Sequence, residues 1–123
     1  MRKTASFATT AISLAALFAG VGMLPSAAGA AEADTVTMGK EVAFDRKKGN
    51  CLACHMVGDG ESPGDIGPPL IAMKARFPER EKLRAQIWNP MTNNPGTRMP
   101  AFGKYQALSD KEIDAIVDYL YTL

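Results

Sequence analysis

Few groups that do chemistry on proteins occur in this chain: its 123 residues include one histidine, one tryptophan and two cysteines. Two thiols allow at most one disulfide, which excludes a disulfide-rich scaffold. Charge of one sign is also missing, with 14 basic against 13 acidic residues. That balance excludes a nucleic-acid or polyanion binder working through a strongly basic surface. No unit recurs along the chain, so a solenoid is excluded. The clustered β-branched runs of a mixed α/β fold are absent as well. The length suits one domain.

What is present begins with an apolar run. Arg2 and Lys3 precede an alanine-rich, uncharged stretch from Phe7 to Leu24, and Ala28-Gly29-Ala30 offers the small residues a signal peptidase inspects. Residues 1–30 read as a secretory signal peptide removed near Ala30, with a cut after Ala33 as the neighbouring alternative. A retained anchor is the competing reading, but Thr9, Thr10 and Ser13 dilute a run that barely reaches spanning length. Removal of the leader leaves 93 residues carrying 12 basic and 13 acidic side chains. It also leaves no membrane span and a periplasmic location, where thiols meet an oxidising compartment. A short linker over 31–37 and one domain over 38–123 are expected. So small a domain buries little core, and a cofactor is expected to complete it.

Cys51-Leu52-Ala53-Cys54-His55 is the most informative stretch. C-x-x-C-H is the attachment signature of a c-type heme. Two thiols three positions apart on one helical turn can each form a thioether to a heme vinyl group, and the next residue then offers its imidazole to the iron. A thiol–disulfide oxidoreductase also uses C-x-x-C, but in an α/β chain. A structural zinc site wants four ligands where three are obvious. The readings therefore rank as heme first, with Cys51 and Cys54 covalent and His55 axial.

With one histidine, bis-histidine ligation is impossible, and a protein-derived sixth ligand is a methionine. Met38, Met56, Met73, Met91 and Met99 are the candidates in the mature chain. Met56 adjoins His55, and Met73 follows a proline-rich segment expected on the histidine side. Met99, followed by Pro100 in the Gly- and Pro-rich segment 93–103, is best placed, and Met91 is next. Gap-filling in the core is the ordinary role for any of them.

Around these residues the pattern is helices separated by loops. A first helix is expected from about Met38 to Lys47, closed by Gly49. Gly58 to Pro69 holds four glycines and three prolines and is loop. A ligand histidine needs its second ring nitrogen bonded, and the carbonyl of Pro68 suits that role. A third element over Pro78 to Trp88 turns Leu83 and Ile87 inward and Arg80, Lys82 and Arg84 to water. Trp88 reads as a core residue beside the heme. Ser109 and Glu112 form a capping box for a last helix carrying Ile113, Ile116, Val117 and Leu120. Tyr119 and Tyr121 extend its packing surface.

Together CLACH, Gly67-Pro68-Pro69-Leu70, Met99-Pro100 and the closing helix resemble a class I cytochrome c domain. The resemblance implies an all-α fold of three to four helices around one covalent heme c. The chain departs from the shortest members in a small basic insertion, Arg46-Lys47-Lys48, before Cys51. Within that group GDIGPPL at 64–70, ARFPEREKLRAQIWNP at 75–90 and the run from Met99 resemble the SoxX family of monoheme subunits. That resemblance implies thioethers at Cys51 and Cys54 and axial ligands His55 and Met99. It also implies a periplasmic heterodimer with a SoxA-like cytochrome, which attaches thiosulfate to a cysteine of a SoxYZ-like carrier. Activity as an L-cysteine S-thiosulfotransferase would belong to the complex. This chain has no catalytic nucleophile and would pass single electrons to a downstream cytochrome. A free-standing periplasmic carrier is the alternative, and a thiol–disulfide oxidoreductase the remote one.

Overall fold

Alanine is the strongest helix former, and the residues just before Met38 are rich in it. In the computed structural model, which describes residues 27–123, the first helix, α1, accordingly covers Ala27–Phe44. The segment 31–37, expected as a linker, is helical, and the Thr35 and Thr37 hydroxyls bond back to the carbonyls of Glu32 and Ala33. Of the leader expected over residues 1–30, all but the last four residues lie outside the described residues. No helix among the described residues is long and apolar enough to cross a membrane.

The helix stops at Phe44, three residues short of expectation. The Asp45 carboxylate accepts the Lys47 N–H at 2.8 Å, an alternative to the helical ladder. Gly49 N–H then donates to the Val42 carbonyl at 3.1 Å, closing the basic insertion into a tight turn. Three further helices follow: α2 (Met73–Arg76), α3 (Arg80–Trp88) and α4 (Asp110–Leu120). Single 3-10 turns occupy Cys51–Ala53 and Pro90–Thr92. Among the described residues there is no strand, only a lone parallel bridge between Val57 and Leu70. The fold is all-α. The one-turn α2 has no counterpart in the sequence reading, and α3 starts at Arg80 because Glu79 remains extended.

The long packing contact joins α1 to α4. A Cβ on Gly39 would overlap the Ala115 carbonyl, so the missing side chain is what lets the two backbones touch. Val42 and Ala43 of α1 are buried with Ile113, Ile116, Val117 and Leu120 of α4. The start of α4 carries the expected capping box: the Ser109 hydroxyl accepts the Glu112 N–H, and the Glu112 carboxylate accepts the Ser109 N–H at 2.9 Å.

Arg80 and Arg84 do not simply face water. Arg80 reaches Asp118 at 2.8 Å and Asp114 at 3.2 Å, while Arg84 reaches Asp110 at 2.7 Å and Asp114 at 2.8 Å. These pairs tie α3 to α4. Helical spacing from Arg80 to Arg84 and along Asp110, Asp114 and Asp118 produces two matching rows. Burial works against ionisation of Asp114, yet the bonds from Arg84 and Arg80 hold its carboxyl below the usual range.

Candidate functional site

Asn50, immediately before the first cysteine, adopts a left-handed conformation with φ 47°. Asparagine tolerates that region better than most residues, and it turns the chain into the Cys51–Ala53 3-10 turn. Cys54 N–H and His55 N–H both donate to the Cys51 carbonyl, at 3.1 and 2.9 Å. One turn therefore carries both thiols and the imidazole. The cysteines are unbridged. Burial pushes the Cys51 thiol up to about 11, the opposite of the lowered value that makes a disulfide oxidoreductase reactive.

The loop after this turn is zipped against it. Gly64 N–H donates to Leu52 O at 2.8 Å, Gly67 N–H to Cys54 O at 2.7 Å, and Leu70 N–H to Met56 O at 2.8 Å. At Gly67 any side chain would overlap the His55 ring. Pro68 follows, and its carbonyl lies 2.7 Å from His55 Nδ1. A carbonyl can only accept, so Nδ1 carries a proton, and in the neutral ring Nε2 is then the nitrogen with the lone pair.

Cys51, Cys54, His55 and Met99 all line one cavity of about 530 Å³, within the roughly 300–1,000 Å³ of cofactor and ligand pockets. Its interior wall is apolar: Leu83 and Ile87 of α3, Phe102, Leu108, and Ile116 and Leu120 of α4. Arg46, Lys47, Lys48, Arg76 and Arg98 also line it, and among the described residues no aspartate or glutamate does. An apolar macrocycle with carboxylate tails fits such a wall. Two thiols, an imidazole nitrogen and a thioether are groups that could hold a covalent heme.

The methionine candidates divide cleanly. Met73 and Met99 line the cavity, whereas Met38, Met56 and Met91 do not. Met73 is buried, and its Sδ lies 3.5 Å from an Arg76 Nη1 donor. Met99 stands in a loop pinned at both ends of its path. Its N–H bonds the Thr97 hydroxyl, and Gly103 and Lys104 N–H groups both donate to Trp88 O at 3.1 Å.

Trp88 corrects the sequence reading. It is 38% exposed and lies outside the cavity wall, with its ring filling the space a Gly103 side chain would need. Sequence reasoning also missed Phe102 and Leu108 as wall residues, and Arg76 altogether. Arg76 bonds backbone carbonyls, which leave no trace in side-chain patterns.

A family profile described as "Cytochrome C oxidase, cbb3-type, subunit III" matches residues 34–120. The chain belongs to this cytochrome c family. Membership implies covalent heme c, and the C-x-x-C at 51–54 is the attachment sequence that it requires. An uncharacterized lipoprotein of Aquifex aeolicus (strain VF5) is 38% identical over 77 residues, covering 61% of this chain and 37% of that protein. Cytochrome c oxidase subunit 2 of Bacillus subtilis (strain 168) is 31% identical over 100 residues, covering 73% of this chain and 27% of that protein. The chain thus spans well under half of either relative's length. Among solved structures, SoxXA from P. pantotrophus superposes with a TM-score of 0.63 at 29% identity. That match covers 70% of this chain and 79% of the other. The cytochrome c domain described here is an electron carrier.

Proposed function

We propose that this cytochrome is the SoxX-like electron-transfer subunit of a periplasmic thiosulfate-oxidising complex. The observation that carries the reading is a single cavity wall holding Cys51, Cys54, His55 and Met99. It is supported by the likeness to a structure titled SoxXA. Cys51 and Cys54 would hold the heme by thioethers. His55 would be one axial ligand, with Pro68 fixing its tautomer, and Met99 the other. When bound, the heme accepts and releases one electron at a time. The apolar wall from α3 and α4 excludes water, and a thioether ligand in a dry site favours the reduced state.

A two-electron coupling of thiosulfate to a carrier cysteine needs more than this chain. Its two thiols are committed to heme attachment, so the sulfur chemistry falls to a SoxA-like partner. Electrons would leave singly towards another cytochrome. Export fits the lipoprotein relative. A second reading, delivery of electrons to a terminal oxidase, is favoured by the family description and by the Bacillus subtilis relative.

The deciding experiment purifies the tagged chain from a thiosulfate-grown host. Co-purification of a second, thiolate-ligated cytochrome, with thiosulfate-dependent heme reduction, is expected. A lone monomer that reduces an oxidase and ignores thiosulfate and its carrier supports the second reading instead. Met99→Ala should abolish the far-red sulfur–iron absorption band and lower the reduction potential. Survival of that band would remove Met99 as ligand.

A further inference from the structure

One peptide past the Pro68 carbonyl stands a guanidinium. Arg76 Nη1 donates to the carbonyl of Pro69 at 2.7 Å and lies 3.4 Å from that of Ile71. The same nitrogen is 3.5 Å from Met73 Sδ. Arg76 is the last residue of α2, a single turn entered through Ala72 in a left-handed conformation with φ 50°. Two further contacts fasten this region: Met73 N–H donates to Leu123 O at 3.1 Å, and the Tyr121 hydroxyl donates to Phe77 O at 2.7 Å. The C-terminus of the chain therefore holds α2, and α2 holds the arginine.

The geometry is that of a brace. Pro68 and Pro69 have no N–H groups, so neither can hold its own peptide through a donor. Downstream of the Gly67 bond to Cys54, the next backbone donor tied to the histidine turn is Leu70 N–H. Arg76 bonds the carbonyl of that same Pro69–Leu70 peptide, so the peptide next to the one presenting the Pro68 carbonyl is held at both its N–H and its C=O, the latter by a charge-assisted bond. Such bonds are shorter and about twice as strong as neutral ones. A bond one peptide away from the His55 acceptor limits how far that acceptor can rotate.

We propose that Arg76 is a positioning residue, bracing the Pro69–Leu70 peptide so that the adjoining Pro68 carbonyl fixes the ring plane and donor strength of His55. The inference rests on the reading of His55 as a heme-iron ligand. Outer partners of a ligating imidazole set its orientation and basicity. A firm Nδ1–H bond makes the ring a stronger donor and stabilises ferric iron. Loosening the acceptor weakens that effect.

The test uses the full mature holoprotein with Arg76→Ala and Arg76→Lys, read by electron paramagnetic resonance of the ferric heme and by the midpoint potential. Expected for Arg76→Ala are full covalent heme content, shifted and broadened g values, and a raised potential. Arg76→Lys keeps a cationic donor and should return both readouts towards the parent. The g values decide, because they report the imidazole plane and ignore a distant charge. Unchanged g values with a lowered potential would make Arg76 only a charge near the heme and overturn the proposal. Unchanged spectra with lost thermal stability would overturn it as well. Parent protein without covalent heme would instead overturn the heme reading beneath it.

Discussion

At Gly67 even a methyl group would overlap the His55 imidazole, so the ring plane depends on one missing side chain. Gly67→Ala is expected to keep both thioethers, because Cys51 and Cys54 are untouched, but to lose the native low-spin spectrum. Absorption spectra of the purified variant check this, and a parent-like spectrum would contradict the contact. Much at this scale was readable in advance. C-x-x-C-H is local chemistry on one turn, and the need of a ligand imidazole for an acceptor led to Pro68. Trp88 was not readable. A lone tryptophan in a small chain suggests core, yet the close approach of Gly103 keeps its ring at the surface. The role of Arg76 was equally hidden, since its partners are carbonyls whose direction depends on backbone path.

The helices depend on their ends and crossings. Glu112 closes the capping box and pairs with Lys48 across from the basic turn. The Lys48 bond and the Ser109 N–H bond lower its carboxyl from 4.5 to about 2. A lowered folded value means the contribution is complete above about 4.5 and is lost as pH falls through about 2. The melting-temperature gap between parent and Glu112→Gln should therefore be widest above 4.5 and close towards 2, as thermal melts across that range would show. Ser109→Ala should cost about 1 kcal/mol, read by denaturant unfolding. At the α1–α4 crossing Gly39→Val forces the backbones apart and should cost about 1–3 kcal/mol or more, measured the same way. Capping and apolar spacing made α4 legible. The start of α1 was missed because alanine propensity carries helix without any apolar period. The α3–α4 ion pairs were missed because charge rows on two separate helices do not announce that they face each other.

Taken whole, the molecule is built around a cavity. Without a cofactor the apolar inner wall of that cleft of about 530 Å³ stays in contact with water, and apolar surface left wet forfeits about 25 cal/mol per Å². Replacing both Cys51 and Cys54 by alanine should leave a chain without covalent heme and with most of its helical circular dichroism lost. A stable helical variant would show that the protein closes its core unaided. The attachment motif, the helical class and the last helix with its cap all follow from residue types and short spacings, which folding does not alter. Other features needed the packed chain. Met73 and Met99 line one cavity while Met91 does not, five cations and no carboxylate among the described residues line that cavity, and Arg76 bonds the carbonyl one peptide past the His55 acceptor. These features depend on where the chain's path brings residues together, which is set by how helices cross and loops close, not by any local pattern.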